Sequence, residues 1–113
     1  MDDQRDESSF GPASFERVDR DAEPTLVVTG EIDVSVRADF RSQLAALVAE
    51  APSPGLVDLS AVTFMDSSGL GELVSAKVAA DAVGVELILV RPSEPVRRVL
   101  SLTGIDQMLA IRD

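Results

Sequence analysis

The sequence contains no cysteine and no histidine. The first absence excludes a disulfide framework and thiolate metal sites, and the second removes the commonest metal ligand and general base. Ser-His, Cys-His and zinc chemistries therefore fall away, and no metal or other cofactor is expected. Bases are scarce: 10 Lys and Arg stand against 20 Asp and Glu, for a net charge of -10. That balance favours solubility and argues against phosphate backbones and anionic lipid surfaces, so neither nucleic acid nor membrane is an expected partner. No apolar run approaches the roughly 20 residues that span a bilayer, and the acidic N-terminus is no signal peptide n-region. The sequence reads as cytoplasmic, and its bias to arginine over a single lysine, Lys77, hints at GC-rich bacterial codon usage.

What is present fits one domain, since 113 residues suffice to bury a working core without staples. Residues 1–13 are expected to be a disordered acidic tail, because Phe10 is the one large apolar residue after the initiator and cannot offset the ordering entropy. The domain is expected over 14–113. Phe15 and Val18 among charges suggest an edge strand over 14–20, with a turn at 21–24. The β-branched run 25–29 reads as a buried strand ending at Gly30, followed by a polar corner, Gly30-Glu31-Ile32-Asp33.

Val36, Phe40, Leu44, Leu47, Val48 and Ala51 fall at helical spacing, with Ser35 as a cap and Pro52 beyond the end. A strand starting at 56–59 runs toward Phe64 and Met65. A second helix spans 67–83, with Leu70, Leu73, Val74, Val78 and Ala82 inward and Gly84 as its stop. Residues 85–90 form a further buried strand. A third helix follows Ser93, with Pro95 in its first turn, Val96, Val99, Leu100 and Thr103 inward and Gly104 at its end, and 108–111 is a last strand. The order β-β-α-β-α-β-α-β predicts an α/β domain with a mixed, mostly parallel β-sheet packed against helices and an antiparallel edge.

Chemistry concentrates at Asp66-Ser67-Ser68-Gly69, where a strand-like run meets a helix start. Capping of orphan N–H groups accounts for most such clusters. Here three candidate caps stand in a row where one suffices, so at least one hydroxyl is expected to face solvent, at a helix end that favours negative charge. A serine nucleophile needs an adjacent base, and with no histidine and only Lys77 an autonomous serine hydrolase is not expected. Ser67 can still be a substrate, with Gly69 and Gly71 letting a partner's backbone approach. Asp58 in its apolar strand suggests a receiver-type phospho-acceptor, but such a site needs a further acidic cluster for magnesium and a late-sheet lysine, and Lys77 lies mid-helix. Arg97 and Arg98 read as a solvated face that could also meet an acidic partner.

The run Phe64-Met65-Asp66-Ser67-Ser68-Gly69-Leu70-Gly71, after Leu56-Val57-Asp58-Leu59-Ser60, resembles the signature of the STAS family, the sulfate transporter and anti-sigma factor antagonist domains. Gly30-Glu31-Ile32-Asp33 resembles the family's corner, and 95–104 its C-terminal helix; the resemblance covers about residues 25–112. In the antagonist branch the first serine after the aspartate is phosphorylated by an anti-sigma factor that is itself a serine kinase, and a serine phosphatase reverses the step. The resemblance thus implies a non-enzymatic regulator that binds this kinase and frees a sigma factor, with phosphorylation at Ser67 and a partner-binding surface of Asp33, Asp66, Ser67, Ser68, Gly69 and Leu70. A monomer or weak homodimer is expected. One departure is Val36, where family members often carry a Thr or Ser cap, which leaves Ser35 or Asp33 to cap. Asp33 and Glu31 read equally as solvated corner residues. The same fold also serves as a subunit of larger assemblies, a stress-signalling scaffold or the soluble subunit of a lipid transporter, whereas no Walker-type loop supports a nucleotide enzyme.

Overall fold

The computed structural model describes residues 13–51 and 53–113. The expected tail therefore lies outside the described residues except for Ala13, which opens the first strand. Strand β1 (Ala13–Arg20) turns into β2 (Glu23–Ile32) through Asp21 and Ala22 alone, both at positive φ (53° and 67°). Two left-handed residues match the right-handed twist of the flanking strands, so the turn closes in two residues and not over 21–24 as the sequence suggested. Helix α1 (Arg37–Glu50), strand β3 (Gly55–Met65), helix α2 (Ser67–Ala82), strand β4 (Leu87–Val90), helix α3 (Glu94–Thr103) and strand β5 (Ala110–Arg112) follow.

The five strands lie in the order β1-β2-β3-β4-β5. The first pair is antiparallel and the rest are parallel, which is the mixed α/β sheet the element order predicted. Stepping one strand over at each right-handed crossover puts all three helices on one face. Leu26, Val28, Val57, Leu59, Leu87 and Leu89 line that face, and Phe40, Leu44 and Leu47 of α1, Leu70 and Leu73 of α2, and Val96 and Leu100 of α3 fill it as one cluster. Phe15 of the edge strand stacks on Phe40 at 5.9 Å between ring centroids, which ties β1 to the helix layer. Two register shifts between β2 and β3 bring Leu59, Val62 and Met65, three apart, into the core. Strict alternation would have turned one of them out.

The opposite face carries a smaller cluster of Leu56, Ile88 and Val90. Beside it Asp58 is buried, and its carboxylate accepts from Arg20 (2.5 Å), Arg91 (2.9 Å) and both the N–H and hydroxyl of Ser60 (2.9 and 2.7 Å). Burial pushes the Asp58 carboxyl up, and the bonds from Ser60 and Arg20 with the charge of Arg91 more than reverse it, leaving it below the usual carboxylate range. Asp58 is thus a cross-strand anchor.

Several details differ from the sequence reading: β4 starts at Leu87 and not at 85, and β5 is Ala110–Arg112 and not 108–111. Helix α1 begins one residue later, after a 3-10 turn at Val34–Val36. In α2 the buried small residues are Gly69, Ala76 and Ala80, while Val78 and Ala82 point to solvent. Thr103 is exposed, because its hydroxyl donates back to the Val99 carbonyl at 2.8 Å. The helix stops at Gly84 and Gly104 do stand in the left-handed region, at φ 76° and 77°.

Candidate functional site

Parallel pairing aligns Ile32 of β2 with Met65 of β3, so the next residue of each strand, Asp33 and Asp66, leaves the same end of the sheet. Each caps a helical segment. The Asp66 carboxylate accepts from the N–H groups of Ser68 (2.9 Å) and Gly69 (3.4 Å), and its own N–H donates to the Ile32 carbonyl at 3.2 Å, joining the two corners. Asp33 does the same for the 3-10 turn, accepting from the hydroxyl of Ser35 (2.6 Å) and its N–H (3.0 Å). The hydroxyl bond holds the Asp33 carboxyl below the usual range. Asp33 and not Ser35 is therefore the cap of the 3-10 turn, while α1 itself, with Val36 at its N-cap position, has no side-chain cap.

Ser67 is the first residue of α2 and is exposed, and its hydroxyl is hydrogen-bonded to nothing among the described residues. Ser68 is half-buried behind it. Gly69 and Leu70, expected on the partner-facing surface, turn inward instead: Leu70 is 3 % exposed, and Gly69 lies against the core. A Cβ on Gly69 would sit 2.8 Å from Ile32 Cγ2 and 2.8 Å from Met65 Cγ, so glycine is needed there for the helix to seat on the sheet and not for a partner to approach. Of the two glycines, Gly71 is the one with open space around an added Cβ.

Reasoning from sequence missed a second cluster on the α1–α2 side. Glu72 is 6 % exposed and takes a bidentate pair of bonds from Arg41 (3.0 and 2.9 Å), with Arg37 Nε 3.6 Å away. The bonds from Arg41 outweigh burial and hold the Glu72 carboxyl below its usual range. An acid inside an otherwise uncharged stretch of α2, and two arginines four apart on α1, were the signal. Val34 and Phe64, 67 % and 47 % exposed, also flank the two corners in sequence; the sequence reading does not single out Val34, and takes Phe64 only as part of the strand and motif run.

Both carboxylates cap through Oδ1, and Lys77 is held by Asp81 at 2.8 Å. The exposed Ser67 hydroxyl is open to a group brought from outside.

The model of the STAS domain matches residues 15–113. A STAS-domain containing protein of Pseudomonas aeruginosa is 32% identical over 89 residues, 79% of this chain and 87% of its own. The anti-sigma-F factor antagonist of Mycobacterium tuberculosis is 30% identical over 89 residues, 79% of this chain and 72% of its own. The crystal structure of an anti-sigma factor antagonist from Mycobacterium paratuberculosis superposes with a TM-score of 0.75 at 27% identity, over 88% of this chain and 85% of that one.

Proposed function

The chain belongs to the STAS domain family, and from that premise we propose that it is an anti-sigma factor antagonist, a regulator that performs no catalysis of its own. It binds an anti-sigma factor that is also a serine kinase, in the bacterial cytoplasm, and so frees a sigma factor. Phosphorylation of Ser67 by that kinase ends the binding, and a serine phosphatase restores it. The observation that carries this reading is the exposed Ser67 hydroxyl, held on a capped helix start and without a hydrogen-bond partner among the described residues.

The physics of the switch follows from that placement. A phosphate adds about 1.5 to 2 negative charges, here one residue from Asp66 and beside the corner that holds Asp33. A close-packed protein surface over these residues would meet uncompensated like charge as it desolvated. The helix N-terminus tolerates the same phosphate in the free protein. The domain therefore stays folded while the interface is lost.

The test is to recover the partner by co-purification, identify it, and incubate it with ATP and the protein. Phosphate on Ser67 by mass spectrometry, absent in Ser67→Ala while binding persists, is the expected result. A permease, or a stable particle holding no kinase, would overturn the reading in favour of a subunit of a larger assembly.

A further inference from the structure

Helix α2 has two faces almost free of charge, Glu72 being the one acid among its buried residues. One packs on the sheet through Gly69, Leu70, Leu73, Ala76 and Ala80. The other begins at Ser67 and continues through the exposed Gly71, Ser75, Val78, Ala79 and Ala82, with Val78 62 % exposed. The one charged residue among the exposed positions of α2, Asp81, is held by Lys77. Single exposed apolar side chains are ordinary. A strip of about 24 Å without a free charge, the length of a sixteen-residue helix, is not ordinary in a chain with 27% charged residues.

Alongside this strip runs a groove of about 190 Å³ between α1 and α2, lined by Leu44, Ala45 and Val48 on one side and Ser75, Ala76 and Ala79 on the other. Arg41 and Glu72 close one end of it. There Arg37 and Arg41 share the single carboxylate of Glu72, which leaves one positive charge in excess.

We propose that this groove, with the outer strip of α2, is the docking site for one amphipathic helix of the serine kinase that acts on Ser67. The proposal rests on the function proposed above and extends its surface from the helix start down the length of α2. Three observations select this occupant. The strip starts at Ser67, so whatever covers that residue already lies at its head. The groove's small side chains let a helix axis come as near as about 8 to 10 Å to its neighbours, the spacing of packed helices. The surplus guanidinium charge at the Arg41 end matches an acidic residue on the incoming helix, whereas the chain as a whole, at a net -10, favours basic contacts.

The experiment measures binding of the kinase recovered with the wild-type chain to Val78→Glu, Ala79→Glu, Leu102→Glu and Ser67→Asp, each first shown to be folded by thermal melting. Leu102 is 80 % exposed on α3, away from the groove, and serves as the control. Val78→Glu and Ala79→Glu are expected to weaken binding at least tenfold, with Leu102→Glu within twofold of wild type. If both groove variants bind within twofold while Ser67→Asp does not bind, the partner reads only the helix start and the docking proposal falls, with the proposed function intact. If wild type recovers no kinase, the proposed function fails and this inference with it. A wild-type dimer in sedimentation that Val78→Glu disperses would assign the groove to a second copy of the chain and overturn the proposal.

Discussion

Two glycines two positions apart on α2 should respond to the same substitution with opposite signs. An alanine in place of glycine favours a helix by about 1 kcal/mol on propensity alone. At Gly71 no atom lies within 4 Å of the added Cβ, so Gly71→Ala should realise that gain, about 0.5–1 kcal/mol. At Gly69 the same carbon meets Ile32 Cγ2 and Met65 Cγ, each at 2.8 Å. Neither atom is the free end of a flexible side chain: one is a methyl on a β-branched carbon, the other is mid-stem, and both residues are buried at 0 % and 2 % exposure. Overpacking costs about 1–3 kcal/mol, and two contacts this short on stiff buried atoms put Gly69 in the upper half of that range, so after the propensity gain Gly69→Ala should be about 1–2 kcal/mol less stable than wild type. The two variants then differ by about 2–3 kcal/mol, which for a domain of this size is roughly 8–12 °C in Tm. Thermal unfolding followed by circular dichroism, with urea titration for the free energies, measures both. A Gly69→Ala protein that melts at or above wild type would refute the reasoning, because α2 would not then be seated against Ile32 and Met65, and Ser67 would not be held by that contact.

Asp58→Asn should cost about 1–3 kcal/mol, since the loss of a buried charge between two arginines is tempered by their partial exposure. Because the folded Asp58 carboxyl lies below its usual range, its stabilisation is complete above about pH 4 and lost as the pH falls through the folded value. The wild type should therefore show a steeper acid loss of stability than Asp58→Asn in urea titrations between pH 5 and 2 (about the carboxylate range), and parallel profiles would refute the anchor. Removing the α2 cap with Asp66→Ala should cost about 1 kcal/mol and slow phosphate incorporation at Ser67 by the recovered kinase, and an unchanged melt would show that Ser68 or Ser67 caps in its place. Ser67→Asp should keep the hydrogen-exchange protection of β2, β3 and α2 at wild-type levels while losing the partner, and loss of protection across the core would replace an interface switch with an unfolding one.

What the sequence made legible was set by neighbours along the chain. Phe40, Leu44, Leu47 and Val48 mark the inward face of α1 because four residues bring a helix back to the same side. Gly84 and Gly104 mark helix ends because a left-handed residue is a local requirement. The pattern failed on α2, where Val74, Val78 and Ala82 look as inward as Gly69, Ala76 and Ala80: periodicity locates an apolar face only when the other face is polar, and here neither is. It also failed wherever the deciding contact is distant. Ile32 looked like part of a polar corner, yet it pairs with Met65 and is fully buried. Asp58 and Glu72 are explained by arginines 31 to 38 residues away, which no local pattern announces.

The candidate site divides along the same line. That a cap stands among Asp66, Ser67 and Ser68 and leaves a hydroxyl to solvent could be read from four consecutive residues; that Asp66 is the cap comes from the structure. Why the turn is rigid could not, because it depends on Gly69 meeting Ile32 and Met65, and on the Asp66 N–H reaching the Ile32 carbonyl. That rigidity bears on the proposed switch. A serine on a mobile loop could swing an added phosphate away from an approaching surface, whereas at the first position of α2 the backbone is held by a cap, a strand pairing and a close-packed glycine. The charge must then stay where the partner would land. A phosphate so placed needs no conformational change to be read, and the same fixed geometry would let one kinase surface both recognise the unmodified hydroxyl and be expelled by its own product.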